Sequence, residues 1–234
     1  MHCPLSSGGR AAFVVAASMS AAVQAAVTNP RFEAGASKNA TAINGWASVG
    51  DAFLSETSNF STPTNGTYQA TLARATDGNY GEHAGAAATA AAAETFLGIS
   101  AGSLSGVGNG IARTASAIRQ TIHLNVGDKL TFDYDFLTNE IYKAINPANA
   151  SFEQRPATDR NDFAFLSYAA DGTAGVVKLI DTFYGYSSTG AGQSAFNTGF
   201  VPTPDTDPLF AESKYLAYAF TATATGDYAI GRAW

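Results

Sequence analysis

Asp133 and Asp135 stand two residues apart in the run KLTFDYDFL at 129–137. On an extended chain that spacing is about 6.6 to 7 Å at Cα, within the scale on which paired carboxylates hydrolyse glycosides. Acidic residues at alternate strand positions are also what any solvated sheet face displays, and nothing in the sequence signals a raised pKa. A second group comprises Glu140, Asp159, Asn161 and Asp162, which bracket a long polar segment. If the strands ending at Glu140 and starting at Asp162 are neighbours, these side chains meet on one rim. Calcium, which takes six to eight oxygen ligands, would be the cofactor for such a rim. With no D-x-D-x-D-G loop, the same side chains could equally cap loop backbone. Trp46, Tyr80, Tyr142, Tyr184 and Tyr186 offer flat rings with polar tips on which a glycan would stack. Tyr184 and Tyr186, flanking Gly185, are the better platform; Trp46 opens an apolar strand and reads as core.

Other patterns carry less. Gly98-Ile99-Ser100-Ala101-Gly102 matches G-x-S-x-G, but the nucleophile elbow needs a strand before the serine and a helix after it. Here the order is reversed, and no acid lies between Ser100 and His123, the only downstream histidine. A helix-to-loop turn is the expectation. Gly106 to Gly110 lacks the spacing and the preceding strand of a dinucleotide loop. His83 and His123 have no H-x-x-x-H or cysteine partner, which argues against zinc. His123 is expected beside Arg119 on a solvated strand face.

The composition sets the frame for these residues. The 234 residues are 46% hydrophobic and only 14% charged. That balance excludes disorder and a salt-bridge-laced helical bundle. A net charge of −6 leaves no basic face for nucleic acid. Residues 1–10 are short and polar and end in Arg10; Ala11 to Val23 are uninterruptedly small or apolar; Val23-Gln24-Ala25 then fits a signal-peptidase site. We read residues 1–25 as a secretory signal peptide, since thirteen residues at about 1.5 Å each fall short of a ~30 Å membrane core. Cys3 precedes the apolar run, whereas a lipid-modified cysteine would follow it. The processed chain, residues 26–234, would have no cysteine, no second stretch long enough to span a membrane, and a core that must hold a single domain without disulfides.

Beyond the leader the periodicity is two. Leu130, Phe132, Tyr134 and Phe136 share one face of a strand, with Thr131, Asp133 and Asp135 on the other. Ile118, Gln120, Ile122 and Leu124 alternate in the same way, and Val126-Gly127-Asp128 predicts a hairpin between the two. Further strands are expected near Trp46–Leu54, Thr67–Arg74, Asp162–Tyr168, Val176–Asp181, Tyr215–Thr221 and Asp227–Arg232, separated by Asn-Gly, Asp-Gly and proline-rich segments. Eight or nine short strands make an all-β sandwich of two packed antiparallel sheets. One alanine-rich helix, His83 to Phe96 with Gly98 as its stop, should cover an open end or an edge.

In order along the chain, Asn29-Pro30-Arg31-Phe32-Glu33-Ala34-Gly35, Gly45-Trp46 to Gly50-Asp51, Thr64 to Ala70, Glu94 to Gly98, Ser116 to Thr121, Phe136 to Glu140 and Asn161 to Phe165 resemble the PEP-CTERM group, the exosortase-sorted surface proteins of Gram-negative bacteria. The resemblance spans roughly Asn29 to Ile230. It implies a jelly-roll-like sandwich that is exported and tied to the envelope or extracellular matrix. It also implies a further strand and a Pro-Glu-Pro sorting signal after Arg232, whereas this sequence stops at Trp234; a truncated reading frame and a freely secreted relative are the two expectations. The functional expectation is a non-catalytic envelope or matrix component binding polysaccharide. The alternative is a secreted carbohydrate-active hydrolase using Asp133, Asp135 or Glu140.

Overall fold

The computed structural model describes residues 11–16, 27–57, 61–73, 85–107, 111–138, 162–170, 173–181, 201–202 and 211–233. Its strands are β1 (Ala11–Ala16), β2 (Ala47–Val49), β3 (Asp51–Ser55), β4 (Gln69–Ala73), β5 (Ala88–Thr89), β6 (Thr114–Ala115), β7 (Ala117–Leu124), β8 (Lys129–Thr138), β9 (Phe163–Ala170), β10 (Thr173–Asp181), β11 (Val201–Pro202), β12 (Ala211–Glu212), β13 (Leu216–Thr221) and β14 (Gly226–Ala233). The one helix among the described residues, α1, is Ala90–Leu97. Every pairing between these strands is antiparallel. A seven-stranded sheet runs β11-β12-β8-β1-β4-β3 with β13 also on β8, and a five-stranded sheet runs β10-β9-β14-β7-β2. The chain is an all-β sandwich, as its periodicity predicts.

The period-two faces meet between the sheets. Leu130, Phe132, Tyr134 and Phe136 of β8 pack with Leu54, Ala70 and Leu72 from one side, and with Ile118, Ile122, Leu124, Leu166, Tyr228 and Ile230 from the other. Aromatic pairs knit this layer, among them Phe132 with Tyr218 at 5.6 Å and Phe220 with Tyr168 at 5.1 Å between ring centroids. Tilted rings at such separations attract beyond the area they bury.

The hairpin predicted between β7 and β8 is not formed. β7 pairs with β14 and β2, whereas β8 pairs with β1, β12 and β13, so the chain crosses from one sheet to the other at 125–128. The turn chemistry is as expected, with Gly127 at φ 87° and the Asn125 N–H donating to Asp128 Oδ2 at 2.8 Å. What differs is its partner. Gly127 donates to the carbonyl of Ala222 and the N–H of Ala222 to that of Asp128, tying this corner to the crossing between β13 and β14. Two corners held together let both strands turn their apolar faces inward toward each other from opposite sheets.

The helix also departs from expectation. It starts at Ala90, where Thr89 Oγ1 accepts from the Ala92 N–H at 3.2 Å, and ends at Gly98 in the left-handed region. These are the usual devices that satisfy a helix's terminal backbone groups. Instead of covering an end or edge, Ala93 and Leu97 pack on the outer face of the five-stranded sheet against Ala115, Ala117 and Phe165. Gly231 permits this approach, because a Cβ there would collide with the side chains of Leu97 and Ser167.

The motif residues brace the crossings. Gln120, buried in β7, accepts from the Thr28 N–H at 2.8 Å and donates to the carbonyls of Thr28 and Gly45, docking 27–46 on the sheet. Glu33 Oε1 accepts from the N–H groups of Thr67 and Tyr68 at 2.6 and 2.8 Å, closing the Asn65-Gly66 turn. Ser116 accepts from the Asp51 N–H at 2.9 Å and donates to the Ala73 carbonyl at 2.7 Å, bridging the two sheets. Gly50, at φ 76°, brings the backbone up to that hydroxyl and separates β2 from β3, which the sequence reads as one strand. A residue with a Cβ would be strained in that conformation.

Finally, Ala11–Ala16, assigned from sequence to a removable leader, form a strand between β4 and β8. Gln120→Ala should lower the free energy of unfolding by about 1–3 kcal/mol, since it strands one donor and two acceptors of the backbone. Urea denaturation should show a lower midpoint at unchanged slope.

Candidate functional site

The outward side of β8 carries the most concentrated polar chemistry among the described residues. Asp135, expected on a solvated face, is only 1% exposed. Segment 61–67 roofs it: Thr64 Oγ1 donates to Asp133 Oδ2 at 3.1 Å, and Ser61 is buried beside Tyr215. From the β12–β13 junction comes Ser213, whose hydroxyl proton is shared between Asp135 Oδ1 at 3.2 Å and the Lys214 carbonyl at 2.8 Å, while its oxygen accepts from the Phe136 N–H at 2.9 Å. Lys214 adopts φ 58°, which folds the chain back so that Ser213 reaches the sheet. A non-glycine residue in that left-handed region is uncommon, and here the surrounding hydrogen bonds hold it.

The network continues across the strands. Ser61 donates to the Tyr215 hydroxyl at 2.8 Å, and that hydroxyl donates to Gln69 Oε1 at 2.6 Å. Gln69 is fully buried in β4, and its Nε2 is a buried donor with no hydrogen-bond partner among the described residues. Alongside, Ser55 and Thr71 share a hydrogen bond at 2.6 Å. Glu212, also buried, pairs with Lys214.

This environment changes the acid. Burial, reinforced by the nearby Glu212 charge, pushes the Asp135 carboxyl up to about 6, against the opposing pull of hydrogen bonds from Ser213 and Ser61 and of the Lys214 charge. Burial likewise raises the Tyr215 phenol above its ordinary value, so it stays a neutral donor. The cluster therefore holds one proton that titrates close to neutrality.

The residues singled out from sequence are mostly elsewhere. Glu140, Asp159, Asn161, Tyr80, Tyr142, Tyr184, Tyr186 and His83 lie outside the described residues. Asp162 is buried just before β9. The pairing on which the calcium rim depends is absent, because β8 and β9 belong to opposite sheets. Among the described residues no three His, Cys, Asp or Glu side chains gather as metal ligands. Trp46 is 7% exposed, packs tilted against Phe32 at 5.6 Å between ring centroids and donates from Nε1 to the Asn29 carbonyl, so its ring is core and offers no stacking platform.

Ser100 sits exposed in the turn after α1, whose Glu94 carboxylate accepts from the N–H groups of Gly102 and Leu104 at 2.8 and 2.9 Å. The G-x-S-x-G match is thus a helix cap. Exposed His123 faces Asp227 of β14 at 2.7 Å, while Arg119 reaches the Phe96 carbonyl and lies 4.8 Å over its ring. The alternation of β8 flags Asp135, but nothing local flags Ser213, Ser61 or Gln69.

Compared with protein-family models, with curated proteins and with solved structures, the chain matches none.

The proton linkage has a definite sign. Because the folded carboxyl titrates at about 6 and an unfolded one at about 4, the unfolded chain releases its proton first as pH rises. Stability present below about pH 4 is lost through the window up to about pH 6, by about 3 kcal/mol, and is level above it. Asp135→Asn should remove this fall. Urea unfolding of both proteins from about pH 4 to about pH 7 should show the variant gaining on the parent as pH rises.

Proposed function

We propose that this chain is an exported, non-catalytic sandwich of the bacterial envelope or extracellular matrix, similar to the PEP-CTERM surface proteins, and that it binds polysaccharide. One observation carries the reading. The residues on which the resemblance rests form a single scaffold: Asn29 receives Trp46, Phe32 fills the core, Glu33 closes the 65–66 turn, and Ser116 and Gln120 lock the strand crossings. The shared pattern is then a recipe for a rigid sandwich, and ligand recognition falls to residues outside the pattern. Tyr184 and Tyr186, a few residues beyond β10 in the sequence, are the rings we assign to a sugar.

Two measurements test this. Expression in a Gram-negative host with cell fractionation should return a product outside the cytoplasm whose N-terminal sequence starts at Ala26 or Val27; an uncut cytoplasmic chain would remove the export reading. A glycan array should show retention of polysaccharide without turnover, weakened about tenfold or more when Tyr184→Ala and Tyr186→Ala remove the stacking rings. Reducing-end release lost in Asp133→Asn, Asp135→Asn or Glu140→Gln would instead establish the hydrolase. The raised pKa of Asp135 is the observation on that side, since a general acid must hold its proton near neutral pH.

A further inference from the structure

The position of β1 joins two facts that sequence and fold supply separately. The segment lies in the apolar stretch of the secretory leader, yet it is an interior strand, with a partner on each edge. It pairs Ala12–Val15 with Ala70–Ala73 of β4, and Ala11–Ala16 with Asp133–Thr138 of β8. Adding water across the peptide bond after Ala25, the reaction of a signal peptidase, cuts this strand from the rest of the chain. β4 and β8 then stand two strand spacings apart, and each loses the ladder on one edge. To pair with each other they would have to close by about 4.8 Å. The buried side chains beneath oppose that closure, because Leu72, Ala70, Phe136 and Tyr134 already fill the core at this spacing.

We infer that the slot between β4 and β8 is a strand-acceptor site, held by the leader until processing and then filled by an extended apolar peptide supplied by another chain. The inference rests on the export reading above. Register defines the chemistry of the occupant. The positions of Phe13 and Val15 lie opposite Leu72 with Phe136 and opposite Ala70 with Tyr134, all members of the main core. The intervening position of Val14 lies between Thr71 and Asp135. A fitting strand runs antiparallel to both neighbours, with apolar side chains at two successive alternate positions. The main-chain ladder supplies affinity and the alternate positions supply selectivity, as in other cases of strand addition. Left empty, the slot presents two adjacent unpaired edges, a stronger template for a foreign strand than one edge would be.

The test uses the full chain with a site-specific protease sequence placed between Ala22 and Val23. After the cut, the protein is incubated with an excess of a fluorescent peptide of sequence 9–18, GRAAFVVAAS. The expected result is that the leader fragment exchanges for the labelled peptide, which co-elutes with the protein and restores the melting midpoint of the uncut chain. A Phe13→Asp peptide should bind about tenfold or more weakly. A Val14→Pro peptide, which lacks a ladder N–H, should fail to restore the midpoint. The inference is overturned if the cut protein sheds its fragment, keeps its midpoint and binds no peptide. It is equally overturned if the midpoint drops and no peptide restores it, or if the Phe13→Asp peptide binds as well as the parent. Because an added protease makes the cut, the outcome is independent of whether a cell exports the chain.

Discussion

Strand β8 is the constraint around which the molecule is organised. Ten residues long, it is paired by β1 on one edge and by β13 and β12 on the other, and its inward side chains are the centre of the core. A strand paired on both edges, with its inner face in the core, has no freedom of register, since a slip of one residue would exchange Phe132 and Tyr134 for Asp133 and Asp135. Every element that meets β8, whether β1, the 61–67 roof or the 211–215 return, inherits its position from that register.

The polar side chains fall into two sets on this framework. Ser116 and Gln120 satisfy backbone groups where the chain leaves one sheet for the other, Glu33 those of the β3–β4 connection, and each joins segments far apart in sequence. The other set, around Asp135, is packed with hydroxyls and one carboxamide on the far side of the same sheet. There the cost of burial falls on a carboxyl whose partners do not fully offset it, which is why its proton affinity rises. The first set is structural in the ordinary sense; the second makes the sandwich sensitive to proton concentration.

Much of this is legible in the residues themselves. The alternation at 117–124 and 129–137, the glycine stop at 98 and the strands near 162–168, 176–181, 215–221 and 227–232 follow from local chemistry and form where expected, whereas β11 forms within what reads as a proline-rich separator. The β7–β8 connection is not legible, because a turn with Gly127 at positive φ serves a hairpin and a sheet-to-sheet corner equally well. Only the contact with Ala222, nearly a hundred residues away, selects the corner. Asp135 is misplaced for a related reason. Period two tells which side chains share a face, whereas a roof built from 61–67 and 211–215 decides whether that face is wet. The β9–β10 pair, bracketing Asp171-Gly172 and matching Thr173 with Ala170, shows the opposite case, in which strands adjacent in sequence are also neighbours in the sheet.

The placement of β14 bears on how such a chain is made. It lies between β7 and β9, with Ala117 opposite Ala233 and Leu124 opposite Gly226, so the five-stranded sheet has a gap at its middle until residues 226–233 are available. Pairings of such long range are slow to nucleate, and a partly synthesised chain has little to gain by collapsing early. The topology itself keeps that sheet incomplete until its central strand has been made.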